Sequence, residues 1–259
     1  MHFGIEAIII AFVQGITEWL PVSSSGHIVL LSSILNYDNT IVFDVALHFG
    51  TLMAVFVYFG KDIVDILEAL LKGKWDTNEG KMAFLLIVAS IPAAVIGFLF
   101  KKYFEIAFGS LLLVGMGFGI TGLFLIIASL DFGKERKKIP SYMDSFLIGC
   151  AQALAIFPGI SRSGSTIASV LLTGLDEKSA LKFSFLMAIP AIFGASLLEL
   201  GSNELPSSLI LPTFVSFAAG MLSIHLLFKV VLTSKRNFRW FGIYTLLLSV
   251  LVLGDVIIF

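Results

Sequence analysis

The sequence predicts an all-α polytopic membrane protein: six transmembrane helices plus two re-entrant helical hairpins, arranged as an inverted-topology repeat. Three observations carry that prediction. Of the 259 residues, 58% are hydrophobic and only 14% charged, with mean hydropathy +0.99, whereas a soluble domain carries about a quarter charged residues. Six stretches are long and apolar enough to cross a bilayer. Two more apolar regions are each broken by a serine-rich segment, and those segments match one another at an offset of 138 residues.

A helix needs about 20 mostly apolar residues to span the hydrocarbon. Residues 41–60, 82–100, 109–130, 179–200, 208–233 and 238–258 meet that length. The broken regions do not. Residues 4–20 are apolar, Pro21 and three serines interrupt, and apolar character resumes for 26–35. Residues 142–157 lead into Pro158-Gly159, and the run resumes for 164–175. Non-helical backbone at membrane depth survives only when buried in protein or lining a wet cavity, so each region reads as a re-entrant helix–turn–helix. Each hairpin returns to its own side and three spans follow it. The second hairpin therefore enters from the opposite face, which makes 1–130 and 140–259 inverted repeats of one membrane domain, with both tips near the midplane.

Charge gives the same topology independently. With the N-terminal side called A, side B receives Lys61 to Lys81, Lys134 to Lys138, Lys178 with Lys182, and Lys229 to Arg239. Those clusters hold fourteen of the 17 basic residues, and side A receives only Lys101 and Lys102. The positive-inside rule makes B cytoplasmic and both termini extracytoplasmic, as expected of a multi-pass plasma-membrane protein. The N-terminus has neither a basic n-region nor a small-residue cleavage site, so no removable signal peptide is expected. A net charge of −1 without a basic aromatic surface argues against nucleic acid as a partner. The single cysteine, Cys150, excludes an internal disulfide and a cysteine metal cluster.

The remaining basic residue, Arg162, belongs to the second serine-rich segment, QALAIFPGISRSGST from Gln152 to Thr166; its partner is QGITEWLPVSSSGH from Gln14 to His27. The offset lays Gln14 on Gln152, Ser23 on Ser161, Ser25 on Ser163 and Gly26 on Gly164. An arginine at the bilayer centre costs about 2.5–3.5 kcal/mol on insertion scales, so it needs a partner or a task. Glu18 is equally out of place, and Gln14, four residues before it, shares its helix face. The inverted repeat brings Glu18, Ser24 and His27 opposite Ser161, Arg162 and Ser163, with Ser24 and His27 facing one cavity. Each second arm is expected to begin at the serines, where free N–H groups and the helix dipole make an anion site. The hydroxyls of Ser23, Ser25, Ser161, Ser163 and Thr166 add donors, Gly26 and Gly164 permit close backbone approach, and Arg162 offers a planar fork to phosphate oxygens. The competing reading makes Glu18–Arg162 a structural ion pair and the serines satisfiers of broken-helix backbone. His48 reads as support for the hairpin, His2 and His225 as interfacial or packing residues, and Glu6, Asp44, Glu199 and Asp255 as polar groups at span ends.

These two motifs resemble the signature regions of the undecaprenyl-pyrophosphate phosphatase family, the bacitracin-resistance type. The resemblance extends through ALHFGTLMAV, SFLMAIP and FGIYTLLL. It implies a hydrolase that removes the terminal phosphate from a polyprenyl diphosphate, regenerating the monophosphate lipid carrier of cell-envelope synthesis. It also implies catalytic roles for Glu18, Ser24, His27 and Arg162, with Ser24 or His27 as nucleophile. A divalent cation, magnesium or calcium, is implied with Gln14 and Glu18 as its ligands. The family takes Glu or Gln at the first motif position; Gln14 here weakens the case for an anionic ligand. Partners implied are the polyprenyl lipid, membrane lipids and a homodimer mate. Two alternatives stand beside this one. A polyprenyl-phosphate flippase or transporter would use the same midplane anion site. A type 2 phosphatidic-acid phosphatase would share SSSGH, but no histidine follows Ser161-Arg162 until His225.

Overall fold

The computed structural model describes residues 4–130, 137–200, 206–231 and 234–258, and among them every element but short turns and one isolated bridge is helical. The first half holds α1 (Ile5–Trp19), α2 (Ser24–Leu35), α3 (Ile41–Tyr58), α4 (Gly60–Leu71), α5 (Asn78–Phe108) and α6 (Leu111–Ser129). The second half holds α7 (Tyr142–Leu154), α8 (Arg162–Leu172), α9 (Glu177–Leu200), α10 (Ile210–Val231) and α11 (Phe238–Ile258). Six of these, α3, α5, α6, α9, α10 and α11, are long and apolar enough to cross a membrane, and they are the six the sequence marks. His2, most of the loop after Leu130 and the side chain of Glu199 lie outside the described residues.

The hairpin arms are short because proline and serine end them. Arms of 15 and 12 residues flank the first tip, and 13 and 11 the second. At about 1.5 Å per residue each arm reaches about 16 to 23 Å, short of the ~30 Å hydrocarbon thickness. Leu20 leaves the helix in extended conformation just before Pro21, as the residue preceding a proline tends to.

The packing partners are exchanged between halves. Helix α1 packs along α10 and α7 along α5, while α3 meets α9 and α6 meets α11. Small residues make the first two contacts close, as is common between membrane helices. A Cβ on Gly15 would stand 2.5 Å from the Ser216 carbonyl oxygen of α10, and one on Gly149 would stand 2.3 Å from the Ala89 carbonyl oxygen of α5. At the same 138-residue offset, Ala11 answers Gly149 and Gly15 answers Ala153, so each first arm carries a small-xxx-small stripe toward its neighbour.

Two features depart from the sequence reading. The stretch carrying Lys61 is not loop but α4, which buries Ile66 and Ala69 against the core and is tied to α9 by Lys182 Nζ to Asp62 Oδ1 at 2.5 Å. The i, i+3, i+7 spacing of Ile63, Ile66 and Leu70 was its signal. Helix α5 runs past the expected span end, bending at Phe100 (φ −112°, ψ 15°) before continuing to Phe108.

Candidate active site

Each tip turns at a serine that caps the arm that follows. Ser23 accepts from Gly26 N at 3.3 Å and Ser161 from Gly164 N at 3.0 Å. Helices α2 and α8 therefore begin at Ser24 and Arg162, as expected. The other first-turn amides, those of Ser24 and Ser25 and of Arg162 and Ser163, have no acceptor within the helix and can serve an anion. Thr121 of α6 anchors the second tip: its Oγ1 accepts from Ser161 N at 2.9 Å and donates to the Gly159 carbonyl at 3.1 Å. Ser163 Oγ donates to the Leu20 carbonyl at 2.8 Å, so the two tips touch.

Their meeting point is Glu18. One carboxylate oxygen pairs with Arg162 Nη2. The other accepts from Ser24 Oγ at 2.5 Å and from Gln14 Nε2 at 3.1 Å, with His48 Nε2 at 3.8 Å. The pair is removed from water, Glu18 being 6% and Arg162 15% exposed. A desolvated pair holds its charges only when the remaining lone pairs and protons are also met. The Arg162 guanidinium lies 5.0 Å from the Trp19 ring centroid, a cation–π contact. Its Nη1 and the Gln14 carbonyl oxygen are buried without a partner.

A cavity of about 510 Å³ lies over this pair, lined by Glu18, Ser23, Ser24, Ser25, Ser161 and Arg162 and walled by α2, α3, α9 and the end of α5. Asn39 and Asp44 of its lining precede or begin α3, Ser196 lies late in α9 and Phe108 ends α5, ends that the re-entrant reading of the two hairpins puts on the side where α1 starts. A larger open hollow of about 700 Å³, lined by Lys137, Asp144, Ser169 and Thr173, lies between the outer ends of α7 and α8; no tip residue reaches it.

Several sequence-predicted residues sit off the cavity. His27 was expected to face it with Ser24. Instead its ring packs edge-on to Phe118 and stacks on Tyr244, with Nδ1 2.7 Å from the Ser23 carbonyl and Nε2 2.7 Å from the Tyr244 hydroxyl. His27 follows Ser24 by three positions, about 60° round the helix from it, and its imidazole packs on Phe118 of α6 and Tyr244 of α11. Thr166 is fully buried, engaged with Ser184 Oγ at 2.5 Å between α8 and α9. Ser163 is consumed in the tip-to-tip bond, and Gly26 lies under Phe118. Conversely, Asp44 and His48, read as span-end and supporting residues, line the cavity. Their spacing of four on one helix face was a usable signal; Trp19 and Tyr244 lie inside quoted motifs without being singled out there, and nothing in the sequence pointed to Thr121.

The residues do not fit a resident divalent cation. Glu18 is already held by a guanidinium, and among the described residues no cluster of three His, Cys, Asp or Glu side chains could hold a metal. Among the described residues, the side-chain amide oxygens of Gln14 and Asn39 are buried without a hydrogen-bond partner, and both are neutral ligands at best.

Two broken-helix hairpins that meet at a buried Glu18–Arg162 pair under a polar-lined cavity, among six helices long and apolar enough to cross a membrane, mark a polytopic membrane protein. The sequence model of the family described as "Bacitracin resistance protein BacA" matches residues 7–251, and the chain belongs to that family. Among its relatives, a protein of Methanococcus vannielii named undecaprenyl-diphosphatase is 38% identical over 250 residues, covering 96% of this chain and 98% of the relative. Proteins with the same name from Thermosipho africanus (39% identical, 94% of this chain and 97% of the relative) and Christiangramia forsetii (41%, 92% and 93%) are similar throughout.

Proposed function

We propose that the chain is a membrane hydrolase that removes the terminal phosphate from undecaprenyl or a related polyprenyl diphosphate, returning the monophosphate carrier to cell-envelope synthesis. The observation that carries the reading is the Ser24 hydroxyl hydrogen-bonded to Glu18 beside a guanidinium with one free limb, in a chain whose relatives are named for this hydrolysis. The name borne by those relatives gives no support to the transporter alternative.

Ser24 Oγ attacks the terminal phosphorus while Glu18 takes its proton. The bond from that phosphorus to the bridging oxygen breaks, and polyprenyl monophosphate leaves. Water then hydrolyses the phosphoserine, releasing inorganic phosphate and restoring the hydroxyl. Arg162 Nη1, the first-turn amides and the hydroxyls of Ser23, Ser25 and Ser161 neutralise charge on the transferring group, which is where phosphoryl transfer gains most. Serine is favoured over His27 as nucleophile because its hydroxyl meets both a base and the cavity. A divalent cation enters only as a companion of the substrate diphosphate. With both termini outside, the cavity opens to the extracytoplasmic face.

The test is phosphate release by purified protein in proteoliposomes without any gradient, using undecaprenyl and shorter polyprenyl diphosphates. Wild type should turn over, and Glu18→Ala and Arg162→Ala should each be at least about a hundred-fold slower. Equal rates in all three proteins would remove both the site and the reading.

A further inference from the structure

His27 lies outside the cavity, yet both of its ring nitrogens are engaged. Nδ1 meets a backbone carbonyl, which only accepts, so Nδ1 carries the proton. In the neutral ring Nε2 is then a bare acceptor, and its partner, the Tyr244 hydroxyl, is the donor. The carbonyl that His27 holds belongs to Ser23, whose backbone stands at φ 68°, ψ 94°, a left-handed conformation that a non-glycine residue adopts only when its surroundings fix it. The same carbonyl also receives the His27 amide at 3.2 Å. Ser23 is thus strapped from two directions, and the next residue is Ser24, whose hydroxyl must stand on Glu18.

We infer that Tyr244 is a positioning residue: from α11, on the far side of His27 from the Ser23 bend, it fixes the ring plane of His27, and through His27 holds the strained bend that aims Ser24. The role rests on Ser24 acting as the nucleophile. Tyr244 reaches His27 from 217 residues away in sequence. It stands on α11, which packs along α6; Ser249 Oγ donates to the Gly115 carbonyl at 2.7 Å in the same helix contact, a bond in which neither Tyr244 nor His27 takes part. Tyr244 is itself 43% exposed, so removing its hydroxyl leaves no buried void.

The experiment compares wild type, Tyr244→Phe and Ser249→Ala for phosphate release, thermal unfolding in detergent, and the 15N resonances of histidine-labelled protein, with His27 assigned by difference against His27→Gln. Tyr244→Phe should lower kcat about three- to ten-fold, the worth of one neutral hydrogen bond, with KM and the unfolding midpoint unchanged. Its His27 Nε2 resonance should move toward that of an unbonded ring nitrogen. Ser249→Ala should lower the unfolding midpoint while leaving kcat and the His27 resonances in place. A Tyr244→Phe protein with wild-type kcat, or with an unmoved Nε2 resonance, overturns the inference. So does a Ser249→Ala protein that reproduces both effects, because α11 would then act only as scaffold. Wild-type protein that releases no phosphate sinks the hydrolase reading instead, and the nitrogen resonances still decide whether Tyr244 orders His27.

Discussion

Replacing Arg162 with lysine separates a catalytic guanidinium from a structural ion pair. Arg162 uses Nη2 on Glu18, lies over the Trp19 ring and leaves Nη1 buried without a partner. Lysine keeps the positive charge, and its ammonium can still meet Glu18, so the buried carboxylate stays paired. What it loses is the second limb of the fork and the flat face on the indole. If Nη1 binds an oxygen of the transferring phosphoryl group, the loss is one charge-assisted hydrogen bond, about 1.5–3 kcal/mol. At ~1.36 kcal/mol per decade, that lowers kcat about ten- to 150-fold. Stability should fall far less than in Arg162→Ala, where an unpaired buried carboxylate costs about 3–5 kcal/mol. The assay is phosphate release alongside thermal unfolding in the same detergent. An Arg162→Lys protein with wild-type kcat and an Arg162→Ala protein that merely melts early would refute the reasoning, leaving the pair as a structural strut.

Ser24→Ala should release no phosphate above background, and acid-quenched wild type should yield phosphoserine at residue 24 by mass spectrometry; a phosphorylated His27 would reassign the nucleophile. Gln14→Glu would place a second carboxylate beside Glu18 and replace the orphan amide oxygen with an anionic one. Activity of that variant should become sensitive to chelator to a degree the wild type is not, since one or two carboxylates with substrate phosphates is the usual magnesium set. Gly15→Leu and Gly149→Leu each drive a side chain into a helix neighbour at 2.5 Å or less. Both should lower the yield of folded protein, costing about 1–3 kcal/mol or more by overpacking, while Leu at the half-buried Gly60, where an added Cβ would meet nothing within 4 Å, should be accepted.

The sequence by itself determined the spans, the two breaks and their kinship, because each of those is local. Span length against bilayer thickness is a property of consecutive residues, Pro21 and the capping serines act on their own turns, and a 138-residue offset is visible without coordinates. It also located Glu18 and Arg162, since a charge in an apolar run needs a reason wherever it points. The tertiary structure decided which side chains share a space. His27, Ser163 and Thr166 are polar residues beside the right motifs, yet helix rotation and the neighbours α6, α9 and α11 turn them to other work. Asp44 and His48 reach the cavity only because α3 crosses α9 there. Which way a side chain faces depends on what packs against its helix, and here those neighbours lie up to 217 residues away.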